Sequence, residues 1–143
     1  IKYLADSYLI LHQPVNIIPN FFNLTLAYNH GAAFSFLAYE NGWQRWLFIS
    51  MAILIVLMAI FWIFFQKHSK YENSKIEYIA AVFLVGGAIG NLWDRINYGY
   101  VIDYLDFYLY NYHWPVFNLA DIFIVSSLVL LSWTILFNKN KCS

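Results

Sequence analysis

The sequence predicts an all-α integral membrane protein, a bundle of four transmembrane helices with a small platform outside the membrane. Three observations lead to this prediction. Hydrophobic residues make up 62% of the chain and charged residues only 11%, whereas about a quarter of the residues in soluble domains are charged. Apolar runs long enough to cross a bilayer recur along the chain. Polar residues and helix breakers collect between these runs.

The composition also argues against several classes of function. The formal net charge is +0 and there is no basic stripe, so a nucleic-acid partner is not expected. Cys142 is the only cysteine, which rules out an internal disulfide. The histidines are scattered without ligand spacing, so neither a metal site nor another cofactor is predicted. These histidines are His12, His30, His68 and His113.

The first 42 residues are expected to hold the end of a helix followed by a β-rich segment. Residues 1–11 are typical of the last turns of a spanning helix that begins upstream, because they are too few to cross a bilayer. Prolines, glycines and asparagines interrupt residues 12–42 and favour turns. Within this segment, residues 21–28 (FFNLTLAY) predict a strand and residues 32–37 (AAFSFL) a second one.

Three further runs predict complete transmembrane helices. Residues 43–66 include Trp46–Phe65, a stretch without any charge. As a helix this stretch would be about 30 Å long, which matches the hydrocarbon core of a bilayer. Residues 76–96 and 116–138 form the other two runs, and Pro115 stands where the last helix can begin.

The connections predict how these helices are oriented. Lysines in the loop at 67–75 and in the tail after residue 138 favour the cytoplasmic side. The platform at 12–42 and the tyrosine-rich loop at 97–115 then share the opposite side, and Val101–Tyr104 within that loop could form a short strand. With the partial first helix, four spans leave both ends of the chain in the cytoplasm.

Four of the eight acidic residues lie between Gly86 and Asp121, and this clustering is the main functional clue. Carboxylates near lipid are costly and usually mark a functional site. Asp103 and Asp121 are expected at one depth, near the outer surface. Two carboxylates that share a site repel each other and tend to hold one proton between them. Such a pair can activate water against a carbonyl, as aspartic proteases do.

The neighbouring residues are given supporting or structural roles. Asn118 lies one helical turn before Asp121, where its amide could orient a carboxylate or a substrate carbonyl. Asp94 and Arg95 are interpreted as a structural brace, with Arg95 paired to a nearby acid or anchored at lipid headgroups. Asp106 is interpreted as a solvated loop acid. A second helix could approach closely at Gly86, Gly87 and Gly90, and packing is the favoured role of the first two.

Composition and spacing leave a second class of function open. A non-enzymatic membrane bundle, such as a proton or ion pathway or an assembly partner, also uses intramembrane acids. The acids gather at one end of the predicted bundle instead of forming a chain across the bilayer, which argues modestly against a pathway. A protease of the presenilin type is a further alternative, but its GxGD motif is missing.

Three sequence blocks resemble the lipoprotein signal peptidases, also called signal peptidase II. They are FFNLTLAYNHGAAFSF (21–36), GGAIGNLWDRINYGYVIDYLDF (86–107) and FNLAD (117–121), in the order and spacing of that family. The resemblance covers nearly the whole chain. Lys2 is similar to the lysine of an Asp/Lys motif in the first helix of the family, although the aspartate that should precede it is absent here.

The resemblance implies a fold, a reaction and a set of site residues. The family cleaves bacterial prolipoproteins in the inner membrane, on the amino side of a diacylglyceryl-modified cysteine. It has four transmembrane helices and an extracytoplasmic β-cradle, and the cyclic peptide globomycin inhibits it. Its catalytic dyad corresponds to Asp103 and Asp121. Its other motif residues, which bind substrate or support the site, correspond to Asn29, Gly31, Gly90, Asn91, Arg95, Asn118 and Ala120.

Overall fold

Three long helices dominate the secondary structure. The computed structural model describes residues 1–31, 43–67 and 75–137. Its elements, in chain order, are α1 (Lys2–Tyr8), β1 (Val15–Ile18), β2 (Phe22–Asn29), α2 (Trp43–Lys67), α3 (Lys75–Asn97), β3 (Val101–Leu109), β4 (Tyr112–His113) and α4 (Leu119–Phe137). The strand predicted at 32–37 lies outside the described residues.

The long helices have the length and composition of membrane spans. The candidate spans are Arg45–Phe65, Lys75–Asn97 and Leu119–Phe137, with mean hydropathies of 2.9, 1.5 and 2.1. Large apolar side chains on them remain exposed, as Phe61 (62%) and Leu136 (71%) illustrate, and lipid is the solvent that suits such a surface. The prediction of a mostly helical, multi-pass membrane protein is confirmed. The described part of α1 has seven residues, so a fourth span remains a prediction.

The described residues divide into two units, which are treated separately below. The sheet unit contains residues 1–31, 43–48 and 94–118, and the helix unit contains 49–67, 75–93 and 119–137. The first unit therefore holds all four strands and α1. The second holds most of α2 and α3 and all of α4.

The strands of the sheet unit form one antiparallel sheet in the order β1-β2-β3-β4. Between β2 and β3, Leu24 pairs with Leu105 and Ala27 pairs with Asp103. Thr25 and Leu26 of β2 therefore stand opposite a single residue of β3, Tyr104, as in a β-bulge. The buried apolar side chains of the sheet are Leu26, Val101, Ile102 and Tyr104.

β3 is longer than the predicted strand at Val101–Tyr104 and takes up much of the predicted loop at 97–115. Its sequence, VIDYLDFYL, consists mainly of β-branched, aromatic and other apolar residues, which favour an extended chain. The turn from α3 into β3 passes through Gly99, whose φ of +86° lies in the left-handed region. That conformation favours glycine, because a Cβ would introduce strain.

The last helix begins at Leu119, three residues later than the predicted start at 116. The reason is that Phe117 pairs with β3. The carbonyl of Phe117 accepts hydrogen bonds from the N–H groups of Tyr104 (3.0 Å) and Leu105 (2.8 Å), and its own N–H donates to the Leu105 carbonyl (3.1 Å). The backbone of Phe117 is therefore engaged in sheet-like bonding and is not available to a helix.

The prediction that Asp106 is a solvated loop acid is wrong. Asp106 lies on β3 and is 3% exposed. Its carboxylate accepts hydrogen bonds from Asn23 (3.2 Å) and Thr25 (2.8 Å), and the ring Nδ1 of His113 lies 2.8 Å from its other oxygen. Asn16 donates to Asn23 in turn (2.9 Å). Because these residues come from β1, β2, β3 and β4, Asp106 is the centre of a polar network that joins every strand.

Burial of the Asp106 carboxyl acts to raise its pKa. The hydrogen bonds from His113, Thr25 and Asn23, together with the charge of His113, outweigh this effect and lower the pKa below its ordinary value of 3.8. The network therefore favours the ionised carboxylate, which is the form that can accept all of these hydrogen bonds.

In the helix unit, α3 and α4 approach closely at Gly87. A Cβ at this position would lie 2.5 Å from the carbonyl oxygen of Ala120 and 2.8 Å from a side-chain carbon of Ile124. Gly87 therefore has the packing role that was predicted for it. Gly86 does not, because no atom of the described residues lies within 4 Å of the corresponding position.

We expect Gly87→Ala to lower the melting temperature, although alanine normally stabilises a helix by about 1 kcal/mol relative to glycine. The added methyl group would meet backbone atoms of α4, which cannot move aside as a flexible side chain could. Gly86→Ala is the matched control and should leave the melting temperature unchanged or slightly raised. Thermal unfolding of both variants in the same detergent measures the difference. Equal stabilisation by the two substitutions would contradict the packing role of Gly87.

We expect Asp106→Asn to reduce stability most at neutral pH. A carboxyl whose pKa is lower in the folded state contributes stability above the unfolded pKa, and this contribution is lost as the pH falls through the folded pKa. The melting temperatures of the wild type and of Asp106→Asn should therefore converge as the pH falls below about 4. At neutral pH the substitution should cost on the order of 2 kcal/mol. A difference that does not change with pH would contradict a role for the ionised carboxylate.

Candidate active site

Asp103 is the third residue of β3 and is almost completely buried, with 2% of its surface exposed. The Nδ2 of Asn29 donates to its Oδ2 (3.1 Å), and the Nδ2 of Asn118 donates to its Oδ1 (2.7 Å). A buried carboxylate is costly unless its oxygens are hydrogen-bonded. The two amides meet this need and fix both oxygens of Asp103 in place.

Asn29 reaches Asp103 from the end of β2 and links it to two further predicted site residues. Its Oδ1 accepts a hydrogen bond from the N–H of Gly31 (2.9 Å). The carbonyl of Gly31 accepts one from Nη2 of Arg95 (2.9 Å). Arg95, Gly31, Asn29 and Asp103 therefore form one continuous chain of hydrogen bonds.

Asn118 is positioned by the pairing of the preceding residue with β3. The backbone of Phe117 is bonded to Tyr104 and Leu105, immediately after Asp103 along the strand. Asn118 itself is fully buried at 0% exposure. The predicted role of Asn118 as an amide that orients a carboxylate fits this geometry, but the contact comes from its place beside β3. It does not come from a helical turn shared with Asp121.

Arg95 contacts a backbone carbonyl and an aromatic ring. Besides its hydrogen bond to the Gly31 carbonyl, its guanidinium carbon lies 5.3 Å from the centre of the Phe48 ring. The expected pairing of Arg95 with an acid or with lipid headgroups stays a prediction. Its neighbour Asp94 forms an ion pair with Lys2 and accepts a hydrogen bond from it at 2.7 Å. The interpretation of Asp94 as a structural brace agrees with this ion pair.

The helix unit holds the second predicted acid. Asp121 lies in the first turn of α4, where the helix dipole favours a negative charge. The Nδ2 of Asn91, which is 8% exposed, donates to Oδ1 of Asp121 at 2.7 Å. A Cβ at Gly90 would lie 3.3 Å from the Cβ of Ala120. Small residues at these two positions therefore allow α3 and α4 to approach where Asn91 meets Asp121.

The predicted site residues thus form two groups, one in each unit. The sheet unit brings together Asp103, Asn29, Gly31, Arg95 and Asn118, and the helix unit brings together Asp121, Asn91, Gly90 and Ala120. Sequence reasoning missed the hydrogen bond from the Ile102 N–H to the Asp94 carboxylate (3.1 Å). Nothing in the local pattern signals this contact. Across the described ranges, no group of three or more His, Cys, Asp or Glu side chains could hold a metal ion.

Comparison with known proteins identifies the family. The model of the family described as Signal peptidase (SPase) II matches residues 1–137. The lipoprotein signal peptidase of Alteromonas mediterranea is 45% identical over 132 residues, which cover 91% of this chain and 70% of that protein. The enzyme of the same name from Francisella tularensis subsp. novicida is 45% identical over 141 residues, which cover 98% and 84%.

Two solved structures of bacterial membrane enzymes, determined by the in meso method, are also similar. One has a TM-score of 0.83 at 26% identity and covers 99% of this chain and 84% of its own. The other has a TM-score of 0.79 at 25% identity, covering 96% and 84%. Sequence and fold agree, and this chain belongs to the signal peptidase II family.

Proposed function

We propose that this protein is a membrane aspartic endopeptidase that removes signal peptides from diacylglyceryl-modified prolipoproteins. It cleaves on the amino side of the lipidated cysteine. The observation that carries the proposal is the buried carboxyl of Asp103, whose two oxygens accept hydrogen bonds from the amides of Asn29 and Asn118. Membership of the signal peptidase II family supports the reaction and the substrate class.

Asp121 is the proposed partner of Asp103. An amide holds its carboxyl as well, through the hydrogen bond from Asn91. Asn118, whose amide is bonded to Asp103, precedes Asp121 by only three residues in the sequence. This short connection and the family membership support a shared site for the two acids.

The two acids act by general acid–base catalysis. The ionised carboxyl takes a proton from a water molecule while the water oxygen bonds to the scissile carbonyl carbon. The protonated carboxyl gives its proton to the carbonyl oxygen, so that a tetrahedral intermediate forms. The intermediate then collapses as the C–N bond breaks. The carboxyl that took the proton from water gives it to the leaving amine, and the other carboxyl takes back the proton that it gave to the carbonyl oxygen. Because neutral amides hold the carboxyl oxygens without adding a positive charge, they suit a site in which the proton must move.

The surrounding residues bind substrate or support the dyad. Arg95 and Asn29 hold Gly31 through its carbonyl and its N–H, respectively. This arrangement ties the chain after β2 to the same network as Asp103. Gly90 and Ala120 provide the close helix contact at which Asn91 reaches Asp121.

The membrane environment is part of the proposal. The protein lies in the bacterial inner membrane with four spanning helices, its C-terminus in the cytoplasm and its site towards the extracytoplasmic side. The four-stranded sheet is the extracytoplasmic β-cradle. The acyl chains of the substrate keep the modified cysteine at the membrane surface, where the acids meet the scissile bond. Membrane lipids and globomycin-type inhibitors are the other expected partners.

We expect Asp103→Asn and Asp121→Asn, made singly, each to reduce cleavage of a lipidated prolipoprotein by about 10²–10⁴-fold. An amide can neither take the proton from water nor return it to the leaving group. The assay uses the full chain reconstituted in lipid and follows release of the signal peptide. Either variant cleaving at a near wild-type rate while well folded would contradict the dyad.

Asp106→Asn is the matched control for this experiment. Asp106 lies on the same strand as Asp103 and is equally buried, at 3% against 2% exposure, but its hydrogen bonds serve the sheet. The substitution should lower the melting temperature and leave kcat within a few-fold of wild type at temperatures where the protein is folded. A loss of kcat equal to that of Asp103→Asn would mean that any buried acid of β3 has this effect.

We expect Arg95→Lys to leave the protein folded and to lower cleavage by about 10- to 100-fold. An ammonium cannot reproduce the planar guanidinium that bonds the Gly31 carbonyl beside the Phe48 ring. Arg45→Lys is the matched control, because Arg45 also bonds backbone carbonyls, those of Arg95 and Ile96. If Arg95→Lys does not fold while Arg45→Lys does, Arg95 has a structural role only.

A further inference from the structure

We infer that Asp94, held by Lys2, is a positioning residue that fixes the backbone of β3 beside the catalytic Asp103. The Oδ2 of Asp94 accepts a hydrogen bond from Lys2 Nζ at 2.7 Å and one from the N–H of Ile102 at 3.1 Å. Ile102 is the residue immediately before Asp103. The inference rests on the proposed function, since it assigns Asp94 a role in the reaction of Asp103.

Among the described strands, β4 reaches only Tyr108 and Leu109 of β3, and near Asp103 the Asp94 contact takes the place of a strand neighbour. One edge of β3 pairs with β2 along its length, where Tyr28 stands opposite Ile102. The N–H groups of Ile102 and Tyr104 are both directed to the other edge. There the Phe117 carbonyl accepts from Tyr104, and the Asp94 carboxylate accepts from Ile102. Asp103 therefore lies between two backbone anchors on the same edge.

Lys2 makes the Asp94 anchor a strong one. Asp94 is 3% exposed, and the Lys2 side chain is 18% exposed, so water screens the pair only partly. The Lys2 ammonium lies 2.7 Å from Asp94 Oδ2, the same oxygen that accepts from Ile102, and charge-assisted hydrogen bonds are shorter and stronger than neutral ones. Lys2 is the first residue of α1, so the pair also ties this helix to the strand that carries Asp103.

A purely structural ion pair is the competing explanation, and a charge exchange separates the two. In the double variant Lys2→Asp with Asp94→Lys, opposite charges again face each other, but lysine has no acceptor for the Ile102 N–H. We expect this variant to recover part of the melting temperature that either single substitution loses, since the ion pair is restored but the Ile102 N–H still lacks its acceptor. We expect its kcat to stay about 10- to 100-fold below wild type, with KM within about two-fold, because Asp103 would be misplaced and not missing.

Two single variants complete the series. Asp94→Asn keeps an acceptor oxygen and should retain more of kcat than Asp94→Leu, which has none. Asp106→Asn is again the control, because it destabilises the same strand without loosening Ile102. Recovery of kcat together with melting temperature in the exchanged variant would overturn the inference. So would a loss of kcat in Asp106→Asn equal to that in Asp94→Leu, or an effect confined to KM.

Hydrogen exchange tests the anchor independently of activity. The Ile102 amide should exchange faster in Asp94→Leu and in the exchanged variant than in wild type or Asp106→Asn. Unchanged exchange would overturn the inference whatever the activity results. If the wild type does not cleave lipidated prolipoprotein, the proposed function fails. If the wild type cleaves, Asp103→Asn does not, and the Asp94 variants match wild type, only the positioning role fails.

Discussion

The one-residue bulge in β2 determines which aspartate each asparagine can reach. Asp103 and Asp106 are three residues apart on β3, so their side chains point to opposite faces of the sheet. Asn23 and Asn29 are six apart on β2 and would share one face in a regular strand. Because Thr25 and Leu26 together stand opposite Tyr104, the faces of β2 exchange at the bulge. Asn23 therefore bonds Asp106, and Asn29 bonds Asp103.

The three buried carboxylates of the sheet unit are distinguished by the chemistry of their partners. The Asp94 carboxylate lies 2.7 Å from the ammonium group of Lys2. The Asp106 carboxylate contacts the imidazole of His113, the hydroxyl of Thr25 and the amide of Asn23. These partners hold each acid as a fixed acceptor, and those of Asp106 lower the pKa of its carboxyl. Asp103 accepts from two amides, which orient a carboxyl while adding no formal charge. Burial alone would not single out Asp103, since all three residues are at most 3% exposed.

Much of the fold follows from the sequence, because the apolar runs and the β-rich stretch at 21–28 carry local signals. The family and the reaction followed from three sequence blocks, and the site residues they indicated lie in two hydrogen-bonded groups.

The misjudged features depend on distant partners. Asp106 was taken for a loop acid because its partners on β2, Asn23 and Thr25, lie more than eighty residues away. The start of α4 was placed too early because Phe117 pairs with Leu105, and no pattern near Phe117 reveals this. The Gly86 interpretation failed because spacing does not distinguish which of two adjacent glycines faces a neighbouring helix.

The edge of β3 that faces away from β2 explains why the Asp94 carboxylate is buried beside this strand. Among the described strands, β4 pairs with only Tyr108 and Leu109 of β3, so the buried N–H groups near Asp103 need other acceptors. Asp94 and the Phe117 carbonyl fill this need on either side of Asp103. Each contact thus meets two requirements, since it satisfies a buried polar group and fixes the backbone from which the Asp103 carboxyl projects. A strand held in this way presents the Asp103 carboxyl in one orientation, because both the backbone around it and its two oxygens are held by hydrogen bonds.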